Sequence, residues 1–141
     1  MCQVAQLRLA PETPNGAAGQ IEVTIGLTNV SPTACTLYGY PGLQLLDGNG
    51  APLPTSVVRG GTTFGPAAAN QPPAQVTLAP QATAAFTLHY EDVPVGTETT
   101  CPVSAEVEVT PPGNVGHTAI ALAIAPCGGG TVHVSPVYPS S

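Results

Sequence analysis

The feature that most constrains this chain is a period-two alternation of apolar and polar residues between positions 20 and 30. Ile21, Val23, Ile25 and Leu27 alternate there with polar or small residues. Successive side chains of a strand point to opposite faces, so the pattern predicts a strand with one buried and one solvated face. No stretch shows a convincing helical period. The sequence therefore predicts an all-β protein.

Other short strands are predicted between turns that are rich in proline, glycine and asparagine. They span residues 4–9, 35–37, 43–46, 76–78, 83–90, 103–109, 118–125 and 131–134. This pattern favours an immunoglobulin-like antiparallel β-sandwich of about eight or nine strands, with a closed β-barrel as the alternative. We expect a single domain over residues 1–141, in which residues 136–141 form a C-terminal tail.

The charge balance argues against two classes of partner. The chain has 2 Lys and Arg residues against 8 Asp and Glu residues, for a net charge of −6. With so few cations, the chain cannot bind a phosphate backbone or an anionic lipid surface. We therefore expect neither nucleic acid nor an anionic membrane surface as a partner. The longest apolar run, residues 119–125, is far shorter than the roughly 20 residues of a spanning helix, and we expect no membrane insertion of the domain.

Four cysteines in this small, charge-poor chain predict two disulfides of an exported protein. Because no Cys-x-x-Cys pair is present, neither a zinc ribbon nor a thioredoxin-type centre is indicated. Of the three pairings, we favour Cys2 with Cys35 and Cys101 with Cys127, since each would join neighbouring strands of a sandwich. The alternative is four buried free thiols in a cytosolic protein.

The beginning of the chain lacks the basic and apolar regions of a signal peptide. We interpret Met1 as the start of a trimmed chain from which an export signal has been removed. A second interpretation makes Cys2 the lipidated first residue of a lipoprotein.

Aromatic residues concentrate at one bend. Tyr38 and Tyr40 are two of the 4 tyrosines, and they flank a glycine before a Pro-Gly pair. The longest loop candidate, residues 60–73, contains Phe64 and is expected to be a mobile surface or a spacer without a role. Tyr38, Tyr40 and Phe64 form the candidate binding surface, because aromatic rings can stack on sugars or pack on a protein. The alternative is that both tyrosines fill the core.

The layout of these motifs resembles a family of domains of unknown function, number 4232 of that series, found in secreted proteins and lipoproteins of actinobacteria. The most specific part is Cys-Thr-Leu-Tyr-Gly-Tyr-Pro-Gly at residues 35–42, and the four cysteines extend the resemblance over nearly the whole chain. Where the family usually has Pro-Gly, this chain has Pro80-Gln81, a departure that affects only a turn. The resemblance implies export, two disulfides and a β-sandwich, and it implies no activity.

Residue patterns for chemistry are weak. No serine lies in a Gly-x-Ser-x-Gly motif, and the three histidines lack the spacing of metal ligands. His133 is predicted on a solvated strand face, and His89 is predicted at a surface strand end. Glu106 and Glu108 share the wet face of one strand, which does not indicate a glycosidase pair. We therefore expect no catalytic residues, no metal site and no cofactor.

The sequence favours an extracytoplasmic, non-catalytic binding or interaction module of the bacterial cell envelope, whose partner is an unidentified protein or glycan. One alternative is an envelope hydrolase that uses His89 or His117. A second alternative is a structural spacer domain of a lipoprotein.

Overall fold

The computed structural model describes residues 1–61 and 67–140. Within them the chain forms short strands and two 3-10 helices, η1 (Val4–Gln6) and η2 (Ala67–Asn70). The strands are β1 (Leu7–Pro11), β2 (Asn15–Ala17), β3 (Gln20–Asn29), β4 (Cys35–Leu37), β5 (Gly42–Leu46), β6 (Ser56–Arg59), β7 (Val76–Leu78), β8 (Thr83–Glu91), β9 (Glu106–Thr110), β10 (Thr118–Ala121), β11 (Thr131–Val134) and β12 (Tyr138–Pro139).

The strands form one large sheet and two small ones. The large sheet has the order β1-β3-β8-β11-β6, with β2 beside β3 and β12 beside β8. The small sheets are β10-β9-β5 and β4-β7. The predicted β-sandwich is confirmed, and the closed barrel is wrong because the large sheet ends at β1 and β6. One pairing departs from the antiparallel rule, since β6 runs parallel to β11.

The core lies between the large sheet and the two small ones. Val23, Ile25 and Leu27 of β3 are fully buried, as their alternation predicts, and so are Phe86 and Leu88 of β8. These two strands pair along nine residues, from Gln20 opposite Glu91 to Thr28 opposite Thr83. This long antiparallel ladder is the central element of the fold.

The second face of β8 is also covered, which the sequence did not predict. Ala85, Thr87 and His89 are all buried. Ala69 of η2 packs with Ala85 and Tyr138 over this face. The expected wet face of β3 is therefore interrupted, and Glu22 has only 4% of its surface exposed.

Each predicted strand is present, and the structure adds β2, β6 and β12. The first strand starts later than predicted because residues 4–6 form η1, and residues 103–105 precede β9. Within the span expected to be a tail, Tyr138 pairs with Ala85 of β8. Val137 and Tyr138 are 2% and 7% exposed. This part of the predicted tail therefore belongs to the packed domain.

Both disulfides join the predicted partners, Cys2 with Cys35 and Cys101 with Cys127. The chain has no free cysteine. The expectation that each bond joins neighbouring strands is only partly right, because Cys35 is the one cysteine of the four that lies in a strand. The bonds brace the segment before η1 and the loops on either side of β9 and β10.

The parallel β6–β11 pair depends on Gly130. The residue has a φ of +81°, in the left-handed region that favours glycine. A Cβ atom there would overlap with the carbonyl of Pro54. This close approach lets the Ser56 N–H donate to the Gly130 carbonyl at 2.9 Å. Gly130 thus allows β6 to begin at the edge of the large sheet.

Candidate functional site

The candidate site is the bend that joins β4 to β5, residues 38–41. Gly39 has a φ of +108°, which explains a glycine between the two tyrosines. Its carbonyl accepts a hydrogen bond from the N–H of Val137 at 2.9 Å. Pro41 is buried. The bend is therefore tied by a backbone hydrogen bond to the segment that follows β11.

Strand β4 is fixed immediately before the bend. Cys35 is bonded to Cys2, whose N–H donates to the Thr36 carbonyl at 2.7 Å. On its other side, β4 pairs with β7, and the side chain of Asn29 donates to the Leu78 carbonyl of β7 at 3.0 Å. Asn29 is completely buried, so this bond ties the end of β3 to the small sheet.

The two tyrosines have different environments. Tyr38 is 63% exposed, so the expectation that it fills the core is wrong for this residue. Tyr40 is half-buried and packs against the core. The guanidinium carbon of Arg59 lies 5.1 Å from the centroid of the Tyr40 ring, within the range of a cation–π interaction. Phe64 lies outside the described residues.

Arg59 is the residue that sequence reasoning missed at this site. It belongs to β6 and lies 19 positions from Tyr40 (59 − 40), so no local pattern links them. The one hint in the sequence was the rarity of basic residues, since Arg and Lys together number 2. Tyr38, Tyr40 and Arg59 are named here the tyrosine–arginine surface.

His89 is not at the surface, contrary to expectation. It is 4% exposed, and its Nδ1 donates to the Gly61 carbonyl at 3.2 Å. Its Nε2 is hydrogen-bonded to the side-chain amide of Gln20. His133 is half-buried rather than solvated, with Nδ1 donating to the Gly60 carbonyl at 3.1 Å. The two rings lie 5.7 Å apart and connect the large sheet to the segment that follows β6.

His117 directly precedes β10, which belongs to the β10-β9-β5 sheet. Its Nε2 is 3.2 Å from a carboxylate oxygen of Glu108 on β9, and more than half of its side chain is exposed. His89 belongs to β8 of the large sheet. The two histidines considered as alternatives for hydrolysis thus contact different partners, the Gly61 carbonyl for His89 and Glu108 for His117.

Glu98 accepts three backbone hydrogen bonds beside the second disulfide. The N–H groups of Val95, Gly128 and Gly129 donate to its carboxylate at 3.0, 3.0 and 3.1 Å. The bond from Val95 contributes most to lowering the pKa of Glu98, followed by those from the two glycines. The half-buried Glu98 thus links the loop after β8 to the turn before β11.

A cluster of one carboxylate and two sulfurs also forms there. Glu98, Cys101 and Cys127 bring potential ligand atoms within 4.8 Å of one another. The two sulfurs are joined as a disulfide, whereas a metal ligand requires the thiolate. In the oxidised protein this cluster is a cross-linked turn.

The hollows on the described surface are small or open. One of about 240 Å³ is lined by residues that include Glu91, Val93 and His133. A groove of about 230 Å³ runs beside Pro72, Tyr138 and neighbouring residues. Both are smaller than typical small-molecule pockets of roughly 300–1,000 Å³, whereas a third and more open hollow of about 350 Å³, lined by residues that include Glu12, Thr24 and Pro139, falls within that range.

The described residues contain no helix of the length and apolarity needed to cross a membrane. No curated protein matches this chain, and no solved structure matches it either. One family model does match, over residues 2–138, which is nearly the whole chain. The earlier resemblance is thereby confirmed, and the chain belongs to the family described as "Domain of unknown function (DUF4232)".

Proposed function

We propose that this protein is a non-catalytic binding module of the bacterial cell envelope, secreted or lipid-anchored in an actinobacterium as the resemblance implies. Its partner is a protein or glycan that contacts the tyrosine–arginine surface. Two disulfides fit an oxidising environment outside the cytoplasm. They also brace a surface whose charged residues are few.

The exposure of Tyr38 is the observation that carries this proposal. A tyrosine that is 63% exposed contributes little to the core, yet it stands on a bend fixed by a disulfide and by backbone bonds. A tyrosine on a fixed backbone has only two side-chain torsions to order, so it loses little conformational entropy on binding and is common at recognition sites. Tyr38 therefore has the properties of a contact residue.

Tyr40 and Arg59 extend the same surface. The ring of Tyr40 is held by the core on one side and by the guanidinium of Arg59 on the other. Arginine and tyrosine are both enriched among residues that dominate binding energy. A partner that covers both Tyr38 and Tyr40 would also meet the cation of Arg59, one of 2 basic residues in a chain with a net charge of −6.

The test uses the oxidised protein immobilised against a detergent-solubilised cell-envelope extract, followed by titration of each purified partner. Tyr38→Ala is expected to lower the affinity by about tenfold or more, as for a central aromatic contact. Its melting temperature is expected to remain unchanged because the side chain is exposed. Val115→Ala is the control, since it truncates a fully exposed apolar side chain outside the tyrosine–arginine surface.

Two results would contradict the proposal. One is a saturable partner whose affinity is the same for Tyr38→Ala as for the unmodified protein. The other is no partner above background at high bait concentration, which would favour the structural-spacer alternative.

A further inference from the structure

Strand β6 forms one end of the large sheet, and its outer edge has no strand beside it among the described residues. Its single partner strand is β11, which runs parallel to it. All four residues of β6 are exposed, including Val57 at 38% and Val58 at 40%. The sheet therefore ends at a strand that is accessible from outside.

The ladder shows which backbone groups of β6 remain available. The N–H groups of Ser56 and Gly60 donate to carbonyls at the two ends of β11, at 2.9 and 2.8 Å. Bonds in a parallel ladder repeat every second residue, so Val58 also bonds to β11. The N–H and C=O groups of Val57 and Arg59 consequently point away from β11. They provide two donors and two acceptors along the open edge.

Proteins usually protect such an edge with a very short strand, charged side chains, proline, a bulge or a covering segment. Strand β6 is short and carries one charge, that of Arg59, but its Ser-Val-Val-Arg sequence contains no proline, and its central residues are β-branched. β-Branched residues favour the extended conformation, so this edge is already shaped to receive another strand.

Arg59 adds a chemical preference to the edge. It shares a sheet face with Val57, and its guanidinium lies over Tyr40. Within residues 1–61 and 67–140, no carboxylate lies within ion-pair distance of Arg59. A strand added beside β6 would place a side chain next to this guanidinium, and a carboxylate there would form a charge-assisted hydrogen bond.

We propose that the open edge of β6 binds an extended segment of a partner protein, which adds as an antiparallel strand and places a carboxylate side chain beside Arg59. This inference rests on the proposed binding function, and it selects a protein over a glycan. Main-chain bonds to Val57 and Arg59 would provide affinity, while the carboxylate would provide selectivity.

A second copy of this chain fits the edge less well. Antiparallel pairing of two β6 strands around Val58 would place Arg59 opposite Val57 of the other copy. Residues 54–61 contain no acidic side chain that could pair with the guanidinium. Each copy also has a net charge of −6, so the two bodies repel one another.

The test is a titration of the ¹⁵N-labelled, oxidised protein with the acetylated and amidated peptide Thr-Val-Glu-Val-Thr. Saturable shifts and slower hydrogen exchange are expected at the Val57 and Arg59 amides, with smaller changes at Val58. A peptide with Lys in place of Glu is expected to bind about fivefold more weakly. Arg59→Gln is expected to remove that difference between the two peptides.

Val57→Pro isolates the edge itself. Proline removes the outward N–H of residue 57 without removing a bond to β11, so the sheet is expected to remain intact. Peptide affinity should fall by about tenfold or more. Val57→Thr is the matched control, because it keeps both the N–H and the branched side chain. If Val57→Pro does not fold, the unmodified protein is titrated with a peptide that is N-methylated at alternate residues and so lacks the main-chain donors. The inference then requires that this peptide does not bind.

Three results of the NMR and peptide-binding measurements would overturn the inference. They are no saturable binding at millimolar peptide, equal binding by Val57→Pro, or protection of the Val57 and Arg59 amides that rises with protein concentration alone. The last would identify a second copy as the occupant. Loss of envelope binding in Tyr38→Ala with full retention in Val57→Pro would refute the edge but leave the proposed function standing. Absence of any envelope partner would refute the proposed function.

Discussion

Tyr138 provides a quantitative test of whether the C-terminal segment is part of the fold. Its hydroxyl oxygen lies 2.7 Å from the hydroxyl oxygen of Thr87, and Thr87 is completely buried. In Tyr138→Phe the Thr87 hydroxyl would keep only a longer contact, 3.4 Å to the hydroxyl of Thr24. Leaving a buried hydroxyl without a good partner costs about 1–1.5 kcal/mol.

Removing the whole ring has a larger expected effect. The ring packs with Ala69 and Ala85 over the large sheet, and Tyr138 is only 7% exposed. Truncation of a buried aromatic side chain to alanine costs about 3–5 kcal/mol. In a protein of this length, each kcal/mol corresponds to about 2–4 °C in melting temperature. We therefore expect a decrease of about 3 °C for Tyr138→Phe and about 10 °C for Tyr138→Ala.

The assay is thermal unfolding of the oxidised protein at pH 7, followed by circular dichroism. Tyr38→Phe and Tyr38→Ala are the matched controls, because Tyr38 is 63% exposed and should change the melting temperature by about 1 °C or less. If Tyr138→Ala is no more destabilising than Tyr38→Ala, the packing of β12 against β8 described here is wrong.

Three further predictions concern the turns and cross-links. Because the pKa of Glu98 is lowered in the folded protein, its ionised form stabilises the fold at neutral pH. The unmodified protein should therefore melt at a higher temperature than Glu98→Gln, and this difference should shrink as the pH falls below about 4. A difference that does not change with pH would contradict this. Replacing Cys101 and Cys127 together by serine opens a loop with a sequence separation of 26. The free energy of unfolding measured in urea should fall by about 3.5 kcal/mol, and a fall of less than about 1 kcal/mol would contradict this. In the same urea assay, Gly130→Ala should be more destabilising than Gly129→Ala by about 2 kcal/mol. Both glycines have a positive φ, but a Cβ at residue 129 meets open space, whereas a Cβ at residue 130 overlaps with the Pro54 carbonyl. Equal losses of unfolding free energy would contradict the close approach of Gly130 to Pro54.

The sequence predicted what local patterns encode. Alternation over β3 identified Val23, Ile25 and Leu27 as core residues, and the cysteine count with the sandwich hypothesis led to the correct disulfide pairs. It did not predict β6 or β12. A strand of four exposed residues or of two residues has too little alternation to be recognised, and each forms only because β11 or β8 offers a partner.

The candidate site was likewise predicted only in part from the sequence. Tyr38 and Tyr40 were visible as a local cluster, but their exposure was not, and the contact of Arg59 with Tyr40 joins residues from separate strands. His89 was expected at the surface because it lies near the end of its strand. It is buried because the segment after β6 returns to the large sheet, where the Gly61 carbonyl accepts its N–H.

The sequence by itself therefore determined the class of the fold, the positions of its main strands and the two cross-links, because strand geometry repeats every second residue. Tertiary structure alone decided which of the expected polar faces meet water. A strand's alternation assigns residues to two faces, but burial of a face depends on elements distant in the chain, as η2 shows by covering Ala85. The same reason leaves the outer edge of β6 open, and only the assembled sheet reveals it.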